Sequence, residues 1–318
     1  MSNTFGTRFK LTTYGESHGL AIGGVVDGCP AGLVIDNDLL VDEMSRRHGG
    51  PGATTRQEPD NVVILSGIYQ GRTLGTPIAF EIRNQEADSS DYDELRDLFR
   101  PGHADYTYAM RYGYRDHRGG GRASGRETAA RVVGGAIAKM LLREKGINVE
   151  AKVLSLGVDA EHDSTGGIIE CTITGHPAGI GNPIFGKLNA QLAAAMMSIP
   201  SAIGFEMGAG FAAAMMKGSE YRDEWCHTET PIDNPTNNHL TMTNHCGGIQ
   251  GGISNGMPIV FRTAFHPVVT IDRPTECLDS KGNIRTWNPR GRHDRCHLHR
   301  TVVVVEAMAA LTIADFVG

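Results

Sequence analysis

The chain predicts an α+β fold built on antiparallel sheets, and three observations predict it. Four pattern elements recur in the same order in its two halves, and its apolar strand-like runs are bounded by Gly- and Pro-containing turns. No strand-like run leads into a G-x-G-x-x-G helix start followed by an acidic residue, which disfavours a dinucleotide-binding, doubly wound sheet. Turn-rich connections between short strands favour antiparallel neighbours, with the helices segregated from the sheets.

The first recurring element is an apolar run, residues 22–26 and again 168–173, each followed by a G-x-P-A-G turn: Gly28-Cys-Pro-Ala-Gly32 and Gly175-His-Pro-Ala-Gly179. The second is a helix. Leu39, Leu40 and Met44 are spaced for one in the first half, and Leu188, Leu192, Met196 and Ile199 in the second. The third is a strand opened by Gly75-Thr-Pro-Ile-Ala-Phe80 and by Gly256-Met-Pro-Ile-Val-Phe261. The fourth is a long helix over 126–145, echoed by one over about 300–316. The shared order reads as an internal duplication, with pseudo-repeats of about 1–146 and 147–318 inside a single domain spanning 1–318. Ordinary turn-to-strand chemistry is the alternative origin of the two short motifs. Three polar stretches, 157–167, 218–246 and 272–291, lack periodicity and read as loops, the second long enough for a lid.

Composition narrows the function. With 318 residues, 40% hydrophobic, the chain can bury a substantial core, and 41 Gly against 6% aromatic residues places much of its chemistry on tight turns. A formal charge of -6 argues against nucleic-acid or membrane binding, both of which need a basic surface. Six cysteines (Cys29, Cys171, Cys226, Cys246, Cys277, Cys296) form no C-x-x-C pair, so reduced thiols in a cytoplasmic setting are expected. Residues 1–10 are polar and show no targeting peptide, and the apolar run 302–316 is too short to span a bilayer and is broken by Glu306 and Asp315. A soluble protein is expected.

The chemistry is densest where Arg100-Pro-Gly-His-Ala-Asp105 is followed by Arg118-Gly-Gly-Gly-Arg-Ala-Ser-Gly-Arg-Glu127. Ser124 and Glu127 have the spacing of a capping box at the start of the 126–145 helix. A Gly-rich helix start flanked by Arg122 and Arg126 suits a phosphate or carboxylate. Arg46 and Arg47 end the first helix, with Arg56 a short loop away. They either complement the helix dipole or join Arg100 and Arg126 around a substrate with several negative charges, for which a planar guanidinium fork is suited. His18, in Gly15-Glu-Ser-His-Gly19, and His103 lie in Gly-flanked loops beside these arginines, as proton carriers near neutral pH would. His293, Cys296, His297 and His299 resemble metal ligands, but they come as one cluster rather than separated pairs, so no metal is expected. Asp294 beside Arg292 is instead a carboxylate with a counter-ion, suited to act as a base. The glycines of Gly247-Gly-Ile-Gln-Gly-Gly-Ile-Ser-Asn-Gly256 make a flexible hairpin or a surface for a flat cofactor ring.

Taken in order, Gly15-Glu-Ser-His-Gly19, Arg100-Pro-Gly-His-Ala-Asp105, Gly119-Gly-Gly-Arg-Ala-Ser-Gly-Arg-Glu-Thr128, the 247–256 hairpin and Gly291-Arg-His-Asp294 give a chain that resembles the chorismate synthase family over nearly its whole length. The resemblance implies a helical layer packed between antiparallel sheets, a homotetramer, and a lyase of the shikimate pathway of aromatic amino-acid biosynthesis. That lyase converts 5-enolpyruvylshikimate 3-phosphate to chorismate and phosphate, using reduced FMN without net redox change. It leaves open whether NADPH or a separate reductase reduces the flavin. By the same resemblance, His103 looks like the acid that protonates the flavin, His18 with Ser17 like the pair at the substrate phosphate, and Asp294 like the residue relaying the substrate proton. Arg47, Arg56, Arg100, Arg126 and Arg292, with Ser124, would hold the substrate. Arg122, Ala123, Ser124, Pro200, Ser201, Gly251, the turn His266, Pro267, Val268, Val269, Thr270, and Arg292 fall where the family contacts FMN. The chain departs from the family's usual residues at Ala53, Ala123, Ile203, His266 and Arg295, and its segment 156–166 is short. A catalytically weakened homologue that binds only flavin and anions is therefore the alternative expectation.

Overall fold

The computed structural model describes residues 3–48, 59–85, 90–158, 163–226, 240–289 and 294–318. The alternating pattern of the first half becomes strands β1 (Thr4–Phe5), β2 (Lys10–Tyr14) and β3 (Ala21–Asp27), then helix α1 (Asn37–Arg46). Asp36 caps α1, accepting from the Leu39 N–H at 3.0 Å. Next come β4 (Val62–Ile64), a small hairpin of β5 (Ile68–Tyr69) and β6 (Arg72–Thr73), and β7 (Ile78–Arg83). The strand order β1-β2-β3-β7-β4 makes one antiparallel sheet, whose inward residues Leu11, Ile22, Val26, Ile78, Phe80 and Ile82 are buried. Short β8 (Leu98–Phe99) and α2 (Asp105–Tyr112) precede the long helix α3 (Thr128–Glu144).

The second half supplies β9 (Asn148–Leu156), β10 (Gly167–Thr174), α4 (Leu188–Met197), β11 (Ala202–Met207) and the four-residue α5 (Gly218–Tyr221). The hairpin β12 (Ile249–Gln250) and β13 (Ile253–Ser254) leads to β14 (Ile259–Phe265). Last come β15 (Thr275–Asp279), β16 (Ile284–Trp287) and α6 (Leu298–Val317). A second antiparallel sheet has the order β11-β14-β10-β9. Helix α3 lies against β2 and β3 of the first sheet, α6 lies against β9 and β10 of the second, and the two helices pack on each other. The fold is thus mixed α+β with antiparallel sheets, as the turn-rich pattern predicts.

The contact between α3 and α6 is unusually close. A methyl group at Gly135 would lie 2.5 Å from the Ala307 Cα, so only glycine lets the helices approach this far. Glycine in a helix interior costs about 1 kcal/mol relative to alanine, and the burial of Val132, Val133, Ala136, Ile137, Val303, Val304 and Ala310 around the contact offsets it. Glu306, which interrupts the apolar run of α6, is buried in the same layer. It accepts two hydrogen bonds from Arg46, both at 2.7 Å, one from Lys139 at 2.6 Å and one from the Ala151 N–H at 2.9 Å. Lys139 also donates to Glu43 at 2.6 Å. A fully partnered network of this kind removes the cost of burying charge inside an apolar stripe. Asp315, the second interruption, accepts from the N–H groups of Thr7, Arg8 and Phe9 and fastens the N-terminal segment to the end of α6.

Two sequence expectations are corrected. Residues 272–291, read as a loop, contain the antiparallel pair β15–β16, which joins β8 in a three-stranded sheet. Its core is only Leu95, Leu98, Cys277 and Trp287, too few apolar residues to register as a period. The capping box at Ser124 and Glu127 is also incomplete. Ser124 does accept from the Arg126 N–H at 3.3 Å, but this heads a 3₁₀ turn over Gly125–Glu127. The Glu127 carboxylate turns instead to Thr13 at 3.0 Å and Arg131 at 2.9 Å, where a buried charge finds better partners than one backbone N–H. The 218–246 stretch holds α5 and a bridge between Trp225 and Thr241, while the centre of the expected lid falls outside the described residues.

Replacing Gly135 by Val should destabilise the chain by about 1–3 kcal/mol by forcing the helices apart. Urea denaturation would measure it, and a change near zero would show that the interface can repack.

Candidate active site

Three consecutive glycines build the approach to α3. Gly119, Gly120 and Gly121 have φ of +61°, +95° and +55°, a run that residues with a side chain do not sustain. The turn carries the backbone directly against His18. A methyl group at Gly119 would overlap the His18 ring and sit 2.9 Å from the Ser17 Oγ. Ser17 and His18 are both buried, with the Ser17 Oγ 3.2 Å from the His18 Nδ1, and the His18 ring meets Tyr92 edge-on at 4.9 Å.

A cleft of about 1150 Å³ opens beside this turn. Gly119, Gly120, Gly121, Arg122, Ala123 and Ser124 line one side, Arg100 and His103 another, and Tyr108, Tyr112 and Tyr114 add aromatic surface. Arg131, Ser198 and Pro200 bring α3 and the end of α4 to it. Arg122 donates to the Thr13 Oγ1 at 2.7 Å. Arg100 is buried and donates to Asp105 through Nε at 2.8 Å and Nη2 at 3.0 Å. Burial works to raise the Asp105 pKa, but its hydrogen bonds and charge interaction with Arg100 leave it below the ordinary aspartate value. Burial, and then the Arg100 charge, push His103 down to about 4, so its imidazole is neutral at pH 7 in the ligand-free chain.

The predicted turn at 266–270 meets His103. The Thr270 Oγ1 lies 2.5 Å from the His103 Nε2, and Val269 packs over Gly102. Ser164 donates to the Val268 carbonyl at 2.5 Å, and the His266 Nδ1 lies 2.6 Å from the Pro267 carbonyl oxygen. The His266 N–H donates to the Ser201 carbonyl at 3.0 Å. Ser201 has φ of +68°, and its hydroxyl lies 2.7 Å from the His297 Nε2. Burial, then Arg300, lowers His297 to about 4. Asp294 pairs with Arg300 in the first turn of α6, so the counter-ion found for it is Arg300, while Arg292 falls outside the described residues.

The expected site residues therefore sort into two groups. Arg100, His103, Arg122, Ala123, Ser124 and Pro200 line the cleft, and Thr270 and Ser201 adjoin them. Ser17, His18, Arg47, Arg126, His266, Pro267, Val268, Val269 and Asp294 are not among its lining residues. Arg47 donates to Asp60 at 2.6 Å, and Arg126 pairs with the other oxygen of the same carboxylate. Gly251 does not line the cleft either, because backbone bonds tie its hairpin to the 179–188 segment, Gly252 accepting from the Leu188 N–H at 2.8 Å. Arg56 lies outside the described residues. Among the described residues no group of three His, Cys, Asp or Glu is placed to hold a metal ion, and no helix is long and apolar enough to cross a membrane.

Sequence reasoning missed Asp60, α2 with its tyrosines, and the Ser201–His297 contact. Asp105, seven residues before Tyr112, was visible as the end of a motif but not as the partner of Arg100. Asp60 and His297 carry no local signal, since their partners are distant in sequence.

Comparison with known proteins identifies the family. The chorismate synthase family profile matches residues 9–161 and 156–317. The chorismate synthase of Azobacteroides pseudotrichonymphae is 46% identical over 354 aligned positions, covering 99% of this chain and 98% of that protein. That of Bacteroides fragilis is 44% identical over 356 positions, covering 99% and 98%. Both alignments are longer than the 318 residues of this chain, so the relatives carry insertions. In this chain the short 156–166 segment is closed by a bond from the Gly157 N–H to the Gly166 carbonyl at 2.9 Å. A crystal structure of chorismate synthase superposes with a TM-score of 0.75 at 28% identity, covering 98% of this chain and 92% of that one. By full-length similarity in sequence and in fold, the chain belongs to the chorismate synthase family.

Proposed function

We propose that this chain is a chorismate synthase, a carbon–oxygen lyase of aromatic amino-acid biosynthesis, and that the cleft beside His103 is its working site. The observation that carries the reading is the convergence of Arg100, His103, Arg122, Ser124 and Pro200, drawn from three separate parts of the chain, on one cleft of about 1150 Å³. The reaction is an anti 1,4-elimination of phosphate from 5-enolpyruvylshikimate 3-phosphate. It breaks a C–O and a C–H bond on opposite faces of the substrate, so the leaving phosphate needs focused positive charge. The catalytic set is His18, His103 and Asp294, and the substrate is held by Ser17, Arg47, Arg56, Arg100, Ser124, Arg126 and Arg292.

The cleft fits FMN. Its volume exceeds the usual few hundred to about 1000 Å³ of a small-molecule site, its tyrosines suit a flat ring, and Arg122 and Arg131 suit a phosphate. Arg122, Ala123, Ser124, Pro200, Ser201 and the turn His266–Thr270 would hold it, with Gly251 and Arg292 as further contacts of the family pattern. Reduced flavin, when bound, supplies an electron-rich surface at the substrate. His103 holds a proton at its Nδ1 or Nε2, with Thr270 fixing the ring. An anionic ligand in the cleft raises its pKa from the depressed ligand-free value, because an opposite charge favours imidazolium. NADPH or a separate reductase supplies the reducing equivalents. We further propose a cytoplasmic homotetramer without nucleic-acid or membrane partners. Its subunits descend from an internal duplication, supported by the matched pairing of β3 with β7 and of β10 with β14. The alternative of a catalytically idle flavin binder gains no support, given full-length similarity to proteins named chorismate synthase.

Mixed anaerobically with chemically reduced FMN and 5-enolpyruvylshikimate 3-phosphate, the protein should release chorismate; absence of product with the flavin fully reduced would refute the reading. Replacing His103 by Ala should lower the rate by about 10²- to 10⁴-fold, the usual size of a general-acid contribution. An unchanged rate would place the proton elsewhere.

The pH dependence of stability follows from the same histidines. Unfolded His103 and His297 take up protons near pH 6.5, but the folded groups do so only near 4. Across that window the unfolded chain binds more protons, so their contribution is complete above about pH 6.5 and is lost as pH falls toward 4. Urea midpoints measured from pH 7 to 4 should fall, and less steeply in a His103→Gln variant. Parallel slopes would contradict a half-buried, neutral His103.

A further inference from the structure

A single buried carboxylate joins three of the segments that carry the candidate site. Asp60 is 6% exposed and sits at φ of +41°, one of three non-glycine residues with positive φ among those described. Its Oδ2 accepts from the Arg47 Nη1 at 2.6 Å, at the end of α1, and its Oδ1 accepts from Arg126 at the entry to α3. The Arg47 Nη2 also donates to the Thr128 Oγ1 at 3.3 Å. The Arg126 Nε donates to the Asn84 Oδ1 at 3.0 Å, and the Asn84 Nδ2 donates to the carbonyls of Glu16 at 3.1 Å and Gly19 at 2.9 Å. Asn84 thereby extends the chain of contacts to the loop that bears Ser17 and His18.

Two guanidinium groups held this close repel each other, and nothing in their local sequence fixes the direction of either fork. Asp60 supplies both missing elements. Its two oxygens take one N–H from each arginine, setting their separation and orientation, and the trio keeps a net single positive charge. We infer that Asp60 is a positioning residue for substrate binding, which orients Arg47 and Arg126 and, through Asn84, couples them to the Ser17–His18 loop. The inference rests on the reading of Arg47 and Arg126 as donors to the substrate's anionic groups.

The sign of the effect separates positioning from simple electrostatics. The substrate carries a phosphate and two carboxylates, so removing a nearby negative charge should by Coulomb's law tighten its binding. If Asp60 acts by orienting the arginines, Asp60→Asn should instead weaken it. With reduced FMN, the KM for 5-enolpyruvylshikimate 3-phosphate should rise about ten- to hundredfold, the size expected for one misplaced charged hydrogen bond. The FMN dissociation constant, read from flavin fluorescence, should stay within about twofold, because Asp60, Arg47 and Arg126 do not line the cleft. An unchanged or lower KM overturns the inference. Arg47→Lys and Arg126→Lys are measured alongside. If neither weakens substrate binding, the reading of the arginines fails and the inference with it; if both do while Asp60→Asn does not, only the inference fails. Should Asp60→Asn not fold, as judged by circular dichroism, Asn84→Ser decides. It leaves both ion pairs in place and is expected to raise the KM severalfold, and an unchanged KM would overturn the coupling.

Discussion

The two large sheets and the entry to the candidate site are brought together by the close approach of α3 and α6. Gly135 admits the backbone of α6 at Ala307, and one turn later Lys139 meets Glu306 in the same buried layer. Dispersion and apolar burial make the contact favourable, and the paired charges fix its register, because a slipped helix would leave Glu306 in an apolar layer without Arg46 or Lys139. Each helix carries one sheet on its outer side, so this one contact sets the distance between the two halves of the chain.

The start of α3 inherits its position from that scaffold. The Gly119–Gly121 turn packs against the Ser17–His18 pair and also lines the cleft. A backbone without side chains brings two groups of polar residues close together while each retains its own partners. Positive charge is treated consistently around the turn. Arg100 has Asp105, Arg47 and Arg126 share Asp60, and Arg131 has Glu127. An acidic chain thus concentrates guanidinium groups without their mutual repulsion unfolding the loops, and the carboxylates fix where the forks point.

Local pattern carried much of the architecture. Leu39, Leu40 and Met44 lie on the buried face of α1, the helix expected over 126–145 runs from Thr128 to Glu144, and the G-x-P-A-G turns each follow the end of an interior strand. Where pattern failed, the reason is physical. β15 and β16 form with only Cys277, Trp287 and two leucines from elsewhere to bury, and Glu127 abandoned its local capping role for Thr13 and Arg131. Both outcomes draw on residues far away in sequence, Leu95 and Leu98 under the hairpin and Thr13 beside Glu127, which no window of ten or fifteen residues contains.

The site shows the same division. The order of its Gly-, Arg- and His-bearing motifs was sufficient to point to the family, because such motifs are local and specific. The sequence by itself determined the antiparallel α+β class, the main helices and the identity of the anion-suited loops, since these follow from side-chain period, turn chemistry and charge. Only the tertiary structure decided that His103 is half-buried and neutral beside Thr270, that Ser17 and His18 pack against the glycine turn, and that Asp60 holds two arginines at once. Burial, pKa and ion pairing are properties of the neighbours a residue acquires on folding, and those neighbours are assembled by the packing of α3 against α6.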